Sequence, residues 1–216
     1  MKKLFLIGLA VLLTACSSEV TSNETKTITD KTTKSTVELV EPLEDSLLVD
    51  WNYDNMDRGN HDYEALAHSS LVVDPNDKEV KRGDVIYFKS TDFTVESNPH
   101  FNMPENYISR VVGLPGETVE IKKGQVFIDG TKLDTFYSNA LNRGMRQDEY
   151  FEKVDPANRG DEESWKEYFA TTMKPVKVEE NTLFVLGDNW WRSVDSKDFG
   201  VLPMEKVEGK VLGYKK

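Results

Sequence analysis

From Leu47 onward the chain is written in short runs of β-branched and aromatic residues, each closed by a turn signal, and this punctuation constrains the fold more than any other feature. Leu71-Val72-Val73 stops at Asp74-Pro75, and Arg82-Gly83-Asp84 opens onto Val85-Ile86-Tyr87-Phe88. The run 107–112 closes at Leu114-Pro115-Gly116, where proline followed by glycine suits the central positions of a type II turn. Residues 118–122 and 125–128 read as a hairpin around Lys123-Gly124, with Asp129-Gly130 marking the next turn. Leu183-Phe184-Val185-Leu186 reads as a buried strand running into Gly187-Asp188. Helical spacing occurs only between about 142 and 173, where Trp165, Phe169 and Met173 recur at i, i+4 and i+8 behind Asp161, Glu162 and Glu163. The expected fold class is therefore mostly β, with a small α-containing insertion at about 138–178.

The N-terminus follows a different logic. Lys2 and Lys3 precede an apolar run, 4–13, that is too short to span a bilayer and has the length of a signal-peptide core. Leu13-Thr14-Ala15-Cys16 then resembles a bacterial lipobox, and Cys16 is the only cysteine in the chain. The expectation is a signal peptide over 1–15, lipidation of Cys16, and a protein held by lipid on the extracytoplasmic face of the cell membrane. With its one cysteine assigned to acylation, the chain has no internal disulfide, and its stability must come from a hydrophobic core. Residues 17–46 are rich in Ser and Thr, poor in apolar residues, and read with Cys16 as a disordered, flexible stalk to a domain over 47–216. The net charge of −11 becomes about −13 without Lys2 and Lys3, a surface that repels phosphate backbones and argues against nucleic-acid binding. No cofactor motif is present.

Three segments carry a family resemblance in order along the chain: Arg82-Gly83-Asp84-Val85-Ile86, then 107–120 (Tyr-Ile-Ser-Arg-Val-Val-Gly-Leu-Pro-Gly-Glu-Thr-Val-Glu), then 187–197 (Gly-Asp-Asn-Trp-Trp-Arg-Ser-Val-Asp-Ser-Lys). Together they resemble bacterial signal peptidase I, the membrane-bound serine endopeptidase of the S26 family that removes signal peptides. The resemblance spans roughly 47–215. It implies a signal-peptidase-I-like β core and a groove that holds peptide in extended form by strand addition. It also implies a serine nucleophile activated by a lysine whose burial depresses its pKa.

At the positions the resemblance assigns to that dyad, this sequence carries Asn55, in Asn55-Met56-Asp57-Arg58, and Ser109, just before Arg110. An asparagine amide is not a usable nucleophile and a serine hydroxyl is no base near neutral pH. The supporting positions hold Ser193, Asp195 and Lys197, the last in place of the usual arginine. The reading that follows is a pseudoenzyme: a membrane-tethered, signal-peptidase-like lipoprotein that binds exported peptides, preproteins or secretion machinery as chaperone, scaffold or regulator. The alternative is an active serine endopeptidase with displaced groups, Ser69 or Ser70 as nucleophile and His61 or His68 as base. A third reading is an envelope structural protein whose groove is filled by its own side chains. His61-Asp62 and Glu64 with His68 match no metal-ligand spacing, and a solvated loop accounts for them. Trp190-Trp191 is read evenly as core padding or as an exposed aromatic anchor.

Overall fold

The computed structural model describes residues 26–91, 93 and 103–216; the expected signal peptide and Cys16 lie outside the described residues. In chain order the elements are β1 (Thr27–Thr29), β2 (Leu39–Val40), β3 (Leu47–Val49), β4 (Leu71–Asp74), β5 (Val85–Lys89), β6 (Asn106–Gly113), β7 (Thr118–Lys122), β8 (Gln125–Ile128) and β9 (Thr131–Asp134). They continue with α1 (Gln147–Lys153), α2 (Glu162–Phe169), β10 (Met173–Lys177), β11 (Thr182–Leu186), α3 (Ser196–Phe199), β12 (Leu202–Pro203) and β13 (Val207–Lys215). One sheet runs β1-β9-β8-β7-β10. The other runs β12-β11-β6-β5-β13-β4-β3, with β2 added beside β13.

The turns the sequence marks are the turns that form. Lys123 and Gly124 both take left-handed φ (47° and 70°), as a two-residue hairpin turn requires, and Gly124 packs too close to the Phe169 carbonyl to accept a Cβ. Gly116 takes φ 87° behind Pro115, and Glu117 N–H closes the turn on Leu114 O at 3.1 Å. Each sheet buries one apolar cluster. Trp51, Met56, Leu71, Ile86, Phe88 and Ile108 fill the first, while Val119, Ile121, Val126, Ile128, Phe169 and Phe184 fill the second. At roughly 1.5–3 kcal/mol per buried aliphatic or aromatic side chain, these clusters dominate the stability, as a chain without disulfides requires.

Two expectations are corrected in detail. Helix α2 ends at Phe169, with Ala170 as its cap, so Met173 belongs to β10 and not to a third helical turn. Thr171 and Thr172 are β-branched and Pro175 follows, which together favour leaving the helix for a strand. The segment read as a stalk is, from Thr27 on, laid along the body. β1 pairs in parallel with β9 and β2 in parallel with β13. Asp30 fastens the segment further: Oδ1 accepts the Thr32 and Thr33 N–H groups at 2.9 and 3.0 Å, and Oδ2 accepts Tyr137 Oη at 2.8 Å. Composition misses this because strand addition draws on main-chain hydrogen bonds, which a Ser/Thr-rich segment supplies without burying much apolar area.

Candidate functional site

Asn55 and Ser109, the positions the resemblance assigns to a dyad, lie where the 50–56 loop meets β6, with the Asn55 amide bonded to the residue before Ser109. Asn55 is fully buried, and its amide is engaged at both ends, once within its own loop and once on β6. Its Oδ1 accepts Trp51 Nε1–H at 3.0 Å, and its Nδ2 donates to Ile108 O at 2.8 Å. Its main-chain carbonyl accepts the Asn189 N–H at 2.9 Å and Ser193 Oγ at 3.0 Å. The Ile108 carbonyl is available because β11 pairs with β6 only as far as Arg110, leaving the strand edge open beyond that point. The Asn55 amide takes the place of a strand there. The next residue is Ser109, fully buried, whose Oγ has no hydrogen-bond partner.

The walls of this crossing are held by charge. Arg110, buried, places Nε and Nη2 on the two Asp188 oxygens at 2.7 and 2.6 Å, Nη1 on Gly83 O at 2.8 Å, and Nη2 also on Tyr63 Oη at 3.1 Å. Arg58 Nε approaches Asp188 Oδ2 at 3.3 Å and its Nη2 lies 2.9 Å from Asp62 Oδ2, although neither contact has hydrogen-bond geometry. Burial pushes the Asp62 carboxyl above its ordinary value against the opposing pull of Arg58, and burial likewise raises the phenols of Tyr63 and Tyr107. Arg110 remains a cation, because Asp188 offsets the desolvation that would lower its pKa. Arg82, in the Arg-Gly-Asp turn, reaches Glu117 at 2.5 Å and the Val112 carbonyl, so that triplet serves as a turn into a strand.

The loop after β11 completes the frame. Ser193 Oγ is shared between Asn55 O (3.0 Å) and Asn189 O (2.7 Å). Asp195 receives Gly187 N–H on Oδ2 at 3.0 Å and caps α3, while Lys197 Nζ lies 2.7 Å from both of its oxygens. Asp198 closes the capping box by accepting Asp195 N–H at 3.0 Å. Gly187 has no room for a side chain, since a Cβ there would sit 2.6 Å from Asn55 O and run into Ser193.

With the site assembled, the chain can be set beside known proteins. A family model described as signal peptidase, peptidase S26, matches residues 4–214. The chain belongs to this signal peptidase family. Signal peptidase I S of Bacillus subtilis (strain 168) is 30% identical over 132 residues, 61% of this chain and 56% of that protein. Signal peptidase I of Leptolyngbya laminosa is 31% identical over 132 residues, 61% of this chain and 51% of that protein. The crystal structure of a signal peptidase I from Enterococcus faecalis V583 aligns at 27% identity, covering 62% of this chain and 97% of the other, with a TM-score of 0.39. The chain spans about half the length of the curated relatives it matches.

For a signal peptidase family member, the search for a displaced dyad among the described residues is short. Ser69 Oγ donates to Lys215 O at 2.6 Å and Ser70 Oγ to Asp50 Oδ1 at 2.5 Å. His61 Nδ1 lies 3.1 Å from Glu64 Oε2, and His68 stacks on Tyr214 with ring centroids 4.4 Å apart. No serine hydroxyl among the described residues is hydrogen-bonded to a lysine or histidine side chain. Of the residues once grouped as a metal possibility, Asp62 faces Arg58 instead. Asp57, His61 and Glu64 do converge within 4.8 Å, but Asp57 Oδ1 is taken by the N–H groups of Gly59, Asn60 and His61 at 2.7, 3.0 and 2.8 Å, the pattern of a loop cap. The tryptophan pair divides between its two readings: Trp190 is buried in the second core, and Trp191 is half-exposed against Trp165 at 4.8 Å. Sequence reasoning missed Trp51, Arg58, Tyr63 and Asp188 as site residues. Only Asp188 had a legible signal, its place between Gly187 and Asn189 in the third motif.

Proposed function

We propose that this signal peptidase family member is a lipid-tethered pseudoenzyme. It binds extended peptide or a secretion partner on the extracytoplasmic face of the membrane and does not cleave it. The observation that carries the reading is the Asn55 latch. The side chain at the nucleophile position is spent on Trp51 and Ile108, and the adjoining Ser109 hydroxyl has no base beside it. Losing the nucleophile or base of such a unit costs on the order of 10⁶ in rate, and here both are replaced. Peptide binding is supported by an open strand edge that leads into the same crossing. β3 pairs only with β4, and its Leu47 and Leu48 are half-exposed. Such an edge accepts an added strand through main-chain hydrogen bonds.

Cleavage of a standard preprotein by membrane-anchored wild type and by Asn55→Ser/Ser109→Lys, assayed side by side, tests the reading. Silent wild type with a cutting double variant supports it. Cutting by wild type overturns it in favour of an active endopeptidase. Incorporation of labelled palmitate into wild type but not into Cys16→Ser tests the tether.

A further inference from the structure

We infer that a cavity beside the Asn55 crossing is a recognition pocket for an acidic residue of the bound peptide. The inference rests on the peptide-binding reading and names what that peptide carries. The cavity, about 320 Å³, opens where Asn189 Nδ2 bonds Asp54 O at 3.1 Å, against the main chain that enters Asn55. Three of the chain's seven arginines line it, Arg143, Arg159 and Arg192, in a protein of net charge −11. Tyr150, Trp165 and Trp191 form an aromatic wall between them.

The cations are unequal, and the difference defines the ligand. Arg192 is neutralised by Asp54, with Nε 2.7 Å from Oδ2. Asp57, the other carboxylate in the lining, is occupied by three main-chain N–H groups. Arg159 is held by carbonyls, Nε on Val154 O at 2.8 Å and a further bond to Phe151 O, and it pairs with Glu162 at 3.7 Å. Arg143 forms no ion pair among the described residues. Its main chain is nonetheless fixed, and only the exposed side chain is free to turn toward a ligand: Arg143 and Gly144 have φ of 49° and 75° in a tight turn closed by Asn142 and Met145 at 3.0 and 2.9 Å. That turn is seated so closely on the 58–59 segment that a Cβ on Gly144 would fall 2.6 Å from Arg58 O. A guanidinium with no carboxylate partner among the described residues, Arg143, carried on a fixed turn beside apolar rings, suits a carboxylate whose methylene stem lies on Trp165 and Trp191.

The test uses fluorescein-labelled dodecapeptides of alternating valine and serine, a composition that favours extended chain, with one glutamate or glutamine walked through every position. Binding to the full chain in detergent is read by anisotropy at low salt, with Arg143→Gln, Arg143→Lys and Trp191→Ala in parallel. We expect glutamate to bind about tenfold tighter than glutamine at one or two positions, as a charge-assisted hydrogen bond supplies. Arg143→Gln erases the preference without weakening the glutamine peptides, Arg143→Lys restores part of it, and Trp191→Ala lowers affinity for the glutamate peptides. If peptides bind with no glutamate preference, or the preference survives Arg143→Gln, the pocket inference is wrong and the peptide-binding reading stands. If no peptide binds wild type, both fall.

Discussion

Asp188 is the residue whose loss should cost this fold most. It is buried, accepts two hydrogen bonds from Arg110 at 2.6 and 2.7 Å, and has Arg58 Nε 3.3 Å away. In Asp188→Ala, Arg110 keeps only neutral partners, Gly83 O and Tyr63 Oη, at a position where it is 2% exposed. Breaking a buried pair by removing one partner costs about 3–5 kcal/mol, most of it the uncompensated charge left behind. With a urea m-value near 2 kcal/mol/M, the midpoint falls by roughly 1.5–2.5 M. Melting drops by roughly 6–20 °C, at about 2–4 °C per kcal/mol for a domain of this size. Urea unfolding followed by tryptophan fluorescence measures it directly, because Trp51 and Trp190 are buried in the two cores. The control is Arg110→Met/Asp188→Leu, which removes both charges and should recover more than half of the loss. A midpoint shift under about 0.5 M for Asp188→Ala, or a double variant no better than the single, would show that this pair does not hold the site together.

Smaller changes nearby should separate the roles of the frame. Ser109→Ala removes a buried hydroxyl that has no partner, so thermal unfolding should show it neutral or up to about 1 kcal/mol more stable, where most buried polar truncations are costly. Gly187→Ala puts a methyl group into Asn55 O and Ser193; it should destabilise by about 2–4 kcal/mol in urea unfolding and reduce peptide binding as well. At Asp30, burial raises the carboxyl, but hydrogen bonds from Thr33, Thr32 and Tyr137 outweigh it and hold the pKa well below the ordinary range. A depressed carboxylate stabilises above its unfolded pKa of about 4 and loses that contribution as pH falls further, so the amide-exchange protection of residues 27–33, relative to intrinsic rates, should fall gradually below pH 4, and Asp30→Ala should show the lower protection already at pH 7. Because Asp30 is only partly buried, the effect should be on the order of 1 kcal/mol or less. Asp62 and Asp198 carry the opposite sign: burial raises both, so each favours the fold at low pH and opposes it as pH rises.

The strands were legible where local chemistry and tertiary context ask for the same thing. Leu183-Phe184-Val185-Leu186 is apolar on both faces because its alternate residues enter the two cores, Val85-Ile86-Tyr87-Phe88 packs into the first, and the glycines that bound them are needed for a left-handed φ at Gly83 and for space at Gly187. The docking of 27–46 was not legible, because β1 and β2 are held mainly by backbone groups that every sequence possesses. The site was legible only as substitutions. Asn55 and Ser109 stand out beside a family pattern, but nothing in Asn55-Met56-Asp57-Arg58 announces that the amide would bond Trp51 on one side and Ile108 on the other. Those partners lie four and fifty-three positions away. The arginine cavity was invisible for the same reason: Arg143, Arg159 and Arg192 share no local motif and converge only because the insertion folds back over the loop after β11.

On the proposed reading, the Asn55 latch also bears on how such a scaffold would persist without peptidase chemistry. A serine or lysine at these buried positions would bring polar groups whose hydrogen bonds are kept for substrate, an arrangement that costs stability and is tolerated for activity. Asparagine satisfies both ends of its amide internally and bridges the 50–56 loop to β6, so on its own it should stabilise the crossing. Ser109 gains nothing comparable, since its hydroxyl is stranded in the interior. The two substitutions are therefore not equivalent. Asn55 is built into the present fold, whereas Ser109 is merely small enough to be tolerated in it. Introducing serine and lysine one position at a time should follow that asymmetry. Ser109→Lys alone introduces a buried cation against an amide that offers it no anion, and should be strongly destabilising. Asn55→Ser alone should cost the latch, about 1–3 kcal/mol, and leave a folded protein. If the single variants ranked the other way, the Asn55 bridge would be incidental, and the case for a scaffold adapted to binding would lose its main support.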